Sequence, residues 1–459
     1  MSSLGHAGAS PARSHDLGSR RAIVVVLDGL RRDFVSEGLT PNLAAFARRA
    51  EFFADHRSVF PSATRAASAS FATGCYPSRH GLQGNTLALL EEGRLVVHDA
   101  GRPDFLEHKR RMTGGALGVP TLAARLRGAG GGVVFSNVSP GASYTHDPDG
   151  DGLVYNRAGS FGPGRVPLAD AEQLRSGPNI AGDRAMVDRF VSEVVSERRP
   201  ALAVLWACEP DEVQHAAALG SPAHLPILRQ ADLHFRLLLD AVDRERDRGA
   251  DILFAVCSDH GHQTVTGVVD VNAELVGASL KDGPDSDDVL AVSNGTAALV
   301  YVHPDRADRL EMLEVFLSGR EWVERLVPAR ALHAIGQAAS HGLAFALSMR
   351  SDEEPNPFGV RGRSLVAKPA FGKPDRLGCG QHGGLARFDQ ASFLMVEGEG
   401  FAPGCVRSEA SCLVDVAPTV LQHLGLSHEA MDGRPLQRVP NPAPPQGGLA
   451  SGVRPLSAA

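Results

Sequence analysis

Asp211 and His215 lie four residues apart in Glu209-Pro210-Asp211-Glu212-Val213-Gln214-His215, and with Pro210 opening a helix both side chains project from one face. One metal ion can take both. Asp259 and His260 are adjacent, an arrangement that suits the end of a strand, where the turning chain lets successive side chains converge. Asp28 closes an apolar run, and His382 stands in Gly378-Cys379-Gly380-Gln381-His382-Gly383-Gly384, where glycines allow tight turns and close backbone approach to a ligand. Carboxylate and imidazole donors without a thiolate fit zinc, and other divalent metals are compatible. His262 shares the short loop of Asp259 and His260 and is expected behind the ligands or facing solvent. Thr64 precedes a run, Arg65 to Thr73, that can be helical, which sets a hydroxyl at or near a helix N-terminus. Amide donors and the helix dipole there favour an anion such as phosphate. A threonine hydroxyl is a poor nucleophile unless a metal lowers its pKa, so Thr64 and the metal set stand or fall together. Taken singly, each residue has a plainer role: Asp after a strand is an ordinary turn former, and Thr64 can be a helix N-cap.

The elements that must position these groups are legible as apolar runs. Ala22 to Leu27 ends at Asp28, Ala201 to Ala207 leads to Glu209-Pro210-Asp211, and Asp251 to Cys257 leads to Ser258-Asp259-His260. Each has strand length and turn chemistry at its end, as central strands of a parallel sheet do. Helical patterns lie between them, over Thr40 to Ala50, Pro120 to Gly128 and Pro226 to Arg248. The alternation predicts an α/β fold, a doubly wound and mostly parallel sheet flanked by helices, whose ligand site lies beyond the carboxyl ends of the strands. That is where the acids fall. From 265 to 378 the pattern becomes less regular and reads as a smaller inserted lobe that returns the chain to His382. Residues 1–20 and 438–459, rich in small residues, proline and glycine, read as a flexible and a disordered tail around a catalytic domain at 21–437.

The chain of 459 residues carries a formal charge of −7 and lacks the basic stripe of a duplex-binding protein, although a small phosphorylated substrate such as a nucleotide can still bind. Six cysteines are too dilute for a disulfide scaffold, although Cys405 and Cys412 are close enough in sequence to leave a bridge open. No stretch approaches the ~18 apolar residues of a membrane span and the N-terminus lacks a signal-type apolar segment, so a cytoplasmic protein without membrane contact is expected. Oligomeric state is not written in the sequence.

The order of motifs resembles the alkaline phosphatase superfamily, and within it the branch of type I phosphodiesterases and nucleotide pyrophosphatases. It is carried by Val26-Leu27-Asp28-Gly29, Thr40-Pro41-Asn42-Leu43, Phe60-Pro61-Ser62-Ala63-Thr64, Thr73-Gly74-Cys75-Tyr76-Pro77-Ser78-Arg79-His80-Gly81, Asp211 with His215, Ser258-Asp259-His260-Gly261, Gln381-His382-Gly383 and Val414 to Val420. The resemblance implies two zinc ions, one held by Asp211, His215 and His382, the other by Asp28, Asp259, His260 and Thr64. It implies hydrolysis of a phosphoric ester with Thr64 as nucleophile and a phosphothreonine intermediate. Phosphomonoesterase, phosphonate hydrolase and sulfatase activities are alternatives within the superfamily, and a metal-dependent phosphosugar mutase is one outside hydrolysis.

Cys75-Tyr76-Pro77-Ser78-Arg79 fits the C-x-P-S-R pattern by which related sulfatases make their nucleophile. Aligning Thr73-Gly74 with the later Thr-Gly segment of those enzymes puts Thr64 at the nucleophile position instead, and leaves Cys75 structural. Substrate contacts are expected from Arg65, which can add positive charge for a phosphoryl oxygen, and from Asn85 in the next loop. Many phosphodiesterases of this branch carry Asn three residues after the nucleophile; here Ala67 offers no amide. Thr145 to Gly152 resembles a calcium loop, but Pro148 and the missing distant Glu favour a turn.

Overall fold

A computed structural model describes residues 20–438; the two tails lie outside the described residues apart from Arg20 and Arg438. Strand Arg20–Leu27 sits between Leu202–Ala207 and Asp251–Cys257, and both pairings are parallel. Gly132–Ser136 and Leu153–Tyr155 continue the parallel array on one side. Antiparallel pairings appear only towards the rims, where Leu394–Glu397 joins Asp251–Cys257 and where the short strands at Phe161–Gly162 and Val166–Pro167 finish the other edge. The complete sheet has ten strands.

The strands read as unbroken apolar runs because both faces are covered. Ala22, Val24 and Val26 pack with Ala66, Phe71, Val416 and Leu421, from helices Thr64–Thr73 and Val416–His423. Ile23, Val25 and Leu27 pack the other way, against Phe46, Met186, Phe235 and Leu238 from helices Pro41–Ala47, Ile180–Arg189 and His224–Asp247. The helix expected over 120–128 is only Leu122–Arg125, capped by the Thr121 side chain. Gly128, Gly130 and Gly131 all have left-handed backbone, so the chain turns there instead of winding on.

The segment after His262 builds two smaller sheets. Strand Gln263–Val269 leads out and Gly380–Gln381 leads back, and the two pair antiparallel, so the inserted lobe leaves and rejoins the core on neighbouring strands. Within it, Val289–Ser293 and Ala297–Val302 form a hairpin about Asn294-Gly295, joined by Leu343–Met349 and Val323–Pro328 in a four-stranded antiparallel sheet with its own apolar core. An Asn-Gly pair between β-branched runs is a strong hairpin signal. No helix among the described residues is long and apolar enough to cross a membrane, and all six cysteines are unpaired.

Candidate active site

The three adjacent strands deliver their acids to one edge of the sheet. Asp28 Oδ2 accepts a hydrogen bond of 2.9 Å from the buried Trp206 Nε1, while Oδ1 has no partner. Asp259 Oδ1 accepts from the Gly29 amide at 3.0 Å, and its Oδ2 is likewise unpartnered. His260 Nε2 stands 3.4 Å from Asp28 Oδ1, 3.2 Å from Asp259 Oδ2 and 3.3 Å from Thr64 Oγ1. Its Nδ1 donates to Gly261 O at 3.2 Å, which leaves Nε2 directed at these oxygens. Thr64 is the first residue of its helix and Ala63 is the N-cap, with no side-chain capping bond. The Thr64 hydroxyl is therefore not spent on capping.

A second group lies alongside: donor atoms of Asp211, His215, His262 and His382 fall within 4.8 Å of one another. Asp211 begins helix Asp211–Ala216, and His215 Nε2 is 3.4 Å from its Oδ2. His382 Nε2 is 3.6 Å from Asp211 Oδ1, and the His382 ring stacks on His260 at 3.7 Å, which makes the two groups neighbours. The backbone aims both rings: His215 Nδ1 bonds Gly380 O at 3.0 Å and His382 Nδ1 bonds Ser62 O at 2.7 Å. Three further bonds tie Ser62 to the Gly383-Gly384 backbone. His262 is fully buried, not solvent-facing, and its Nε2 meets Asp211 Oδ1 at 2.7 Å. Gly29 makes room for this contact, since a Cβ at its positive φ would come within 2.8 Å of His262 Nε2.

The charge balance matches a cation site. Burial, then the charges of Asp259 and Asp211, push Asp28 well above the usual carboxylate range. Burial also raises Asp259, against the opposing pull of His260. Burial pushes Asp211 upward too, but His215, His262 and His382 together outweigh it and hold it well below the ordinary value. Burial lowers His215 to about 3 and His262 to about 4, so these rings are neutral and their contacts with Asp211 are not ion pairs. Neutral imidazoles beside crowded carboxylates, with buried Asp28 Oδ1 and Asp259 Oδ2 lacking any donor, are a donor set that fits divalent cations.

Above both groups opens a cavity of about 320 Å³, lined by Thr64, Arg65, Asn85, Glu212, Lys373 and Arg376 among others. Asn85 accepts the Arg65 amide at 2.8 Å, and Asn294 in turn fixes the Asn85 and Thr86 amides at 2.7 and 3.3 Å. Ala67, by contrast, is buried in the apolar core, so the amide near Thr64 comes from Asn85. Cys75 is buried just beyond the far end of the ten-residue helix that Thr64 begins, a helix roughly 14 Å long. The Asp147 loop is a turn: its carboxylate accepts the amides of Gly150, Asp151 and Gly152. Trp206, Asn294, Lys373 and Arg376 fall outside every motif, because each reaches the site only through tertiary packing; Ser62 lies within the Thr64 motif, but its bonds to the Gly383-Gly384 backbone carry no sequence signal.

Solved structures share this architecture. Murine ectonucleotide pyrophosphatase/phosphodiesterase 5, as an inactive variant in complex with AMP, superposes with a TM-score of 0.64 at 15% identity, covering 90% of this chain and 97% of its own. Phosphonoacetate hydrolase from Sinorhizobium meliloti, in complex with phosphonoformate, gives a TM-score of 0.64 at 18% identity over 88% and 96%. No curated protein matches at the level of sequence. The fold and the motifs place the chain in the alkaline phosphatase superfamily. Within it, residues 22–327 match the model of the type I phosphodiesterase / nucleotide pyrophosphatase family, and the chain belongs to that family.

Proposed function

We propose that this chain is a divalent-metal-dependent hydrolase of phosphoric or phosphonic esters, acting through a phosphorylated Thr64. The observation that carries the reading is the Thr64 hydroxyl, free of capping duty and turned to His260 beside the partnerless oxygens of Asp28 and Asp259. Asp28, Asp259, His260 and Thr64 would hold one ion, and Asp211, His215 and His382 the other, with His262 fixing Asp211 from behind. Zinc suits these oxygen and nitrogen donors; bound there, the pair supplies Lewis acidity and lowers the pKa of a hydroxyl or water.

Thr64 Oγ1 forms a bond to phosphorus as the bond from phosphorus to the leaving group breaks, and the hydroxyl proton passes by way of solvent to the departing group. Water then cleaves the phosphothreonine, restores the Thr64 hydroxyl and releases the phosphoryl product. Asn85 positions the nucleophile by holding the amide of the next residue, and Arg65 places positive charge beside it. Small phosphorylated compounds, including nucleotides and phosphonates, are the substrate range, as the ligands of the two structural relatives suggest. The same reading takes 21–437 as one catalytic domain, with 265–378 inserted to roof the cavity.

Replacing Thr64 by Ala tests the assignment on metal-loaded protein, with 4-nitrophenyl phosphate, bis(4-nitrophenyl) phosphate, a nitrophenyl phosphonate and nitrophenyl sulfate side by side. Wild type turns over at least one phosphorus ester and leaves the sulfate intact, while the variant keeps its metals and loses turnover. Substantial hydrolysis by T64A removes Thr64 from the nucleophile role.

A further inference from the structure

Arg65 and Arg376 come from distant parts of the chain, the start of the nucleophile helix and the lobe segment before Gly378, and both line the cavity. Both side chains are half buried. Among the described residues, neither guanidinium forms a hydrogen bond or an ion pair, and Arg65 Nε is fully enclosed without a partner. Asp99 engages Lys373, the third cation on the wall, at 2.7 Å and also lies beside Arg65, so a single carboxylate is shared between two cations. Glu212 is the one carboxylate of the wall outside the metal set, and Arg157, Arg376 and Arg65 all act on it. Burial depresses Arg376, with Arg65 adding to that effect and Asp211 and Glu212 opposing it. Two like charges held half desolvated on one cavity wall are costly unless an anion lies between them.

We propose that Arg65 and Arg376 form an anion subsite on the wall of the cavity, so that the preferred substrate carries a second anionic group, carboxylate or phosphoryl, a short distance from the phosphorus attacked at Thr64. This rests on the hydrolase reading for the role of the first phosphoryl group. Arginine suits the task because its planar fork matches the paired oxygens of carboxylate and phosphate. A substrate bearing one anion engages the metal side alone; one bearing two spans the cavity.

The test is calorimetric binding to zinc-loaded, full-length protein carrying Thr64→Ala, with ethylphosphonate, phosphonoacetate and methylenebisphosphonate as matched probes. The expected result is that one or both of the doubly functional probes bind about 10- to 100-fold more tightly than ethylphosphonate, the range of one charge-assisted contact. Which of the two wins tells carboxylate from phosphoryl. Adding Arg376→Ala or Arg65→Ala shrinks that ratio towards one, and Arg376→Lys keeps most of it. Equal binding of all three probes, or a ratio that survives both alanine variants, overturns the subsite. Because the readout is binding, it is independent of turnover: an enzyme that hydrolyses no phosphorus ester refutes the hydrolase reading, while the probe ratio still decides the subsite.

Discussion

Trp206→Phe separates the ligands' support from the ligands themselves. Trp206 is fully buried, donates its indole N–H to Asp28 Oδ2 at 2.9 Å, and packs edge-on against Phe71 and His146 at 5.7 and 5.5 Å. A hydrogen bond to a charged group contributes about 1.5–3 kcal/mol, and its loss leaves a buried carboxylate oxygen without a donor. Metal affinity at the Asp28 group should fall about 10- to 100-fold, the usual cost of removing a group that orients a ligand. The smaller ring also leaves a gap, costing about 1–2 kcal/mol of stability. Zinc titration of chelator-stripped protein, alongside thermal unfolding, reads both effects. Binding at the Asp211 group should change little. Phe71→Leu is the control, because it disturbs the same packing and keeps the N–H. Unchanged metal affinity in W206F, or an equal loss in F71L, refutes the reasoning.

Exhaustive chelation should abolish hydrolysis, and added zinc should restore it; activity that survives a strong chelator ends the two-metal reading. A separate expectation concerns acid stability. His80 is buried with both ring nitrogens bonded, to Ser70 Oγ at 2.9 Å and from the Leu82 amide at 3.1 Å, and burial lowers it to about 3. The unfolded chain protonates this ring below pH ~6.5 while the native state does not. Its contribution is therefore fully present above pH ~6.5 and is lost progressively as pH falls towards 3. Across that window it contributes a slope of about 1.4 kcal/mol per pH unit. His80→Gln, although less stable at neutral pH, should show a flatter profile by about that slope in denaturant melts; an identical slope refutes the assignment.

The parallel core was legible because strands buried on both faces must be apolar throughout, and their acids follow at once in sequence. Asp28, Asp211 and Asp259 follow three adjacent strands for that reason. The lobe was legible as an insertion between His262 and His382, but its strands and their pairing were not. Several of its strands are half exposed, and register shifts interrupt the ladders at Val265/Gly267, Val300/Tyr301 and Val323/Arg325, which blurs the alternation a strand would show. Thr64 looked equally suited to capping, and only the backbone at Ala63 separates the two roles. His262 differs again: its loop was clear, but its enclosure depends on Gly29 leaving space from another strand. Arg376 carries no local signal, since a lone arginine in a loop resembles any solvated one.

The bonds between Ser62 and the His382-Gly383-Gly384 backbone have a thermodynamic corollary. Ser62 lies two residues before Thr64, and His382 belongs to the neighbouring donor group, so the nucleophile's segment and that group share one rigid splice. Whatever free energy an ion at Asp211, His215 and His382 lends to the placement of Thr64, a phosphoryl group on Thr64 must return to the retention of that ion. On the proposed reaction, phosphorylation of Thr64 and ion occupancy at the Asp211 group are therefore linked steps and not independent ones.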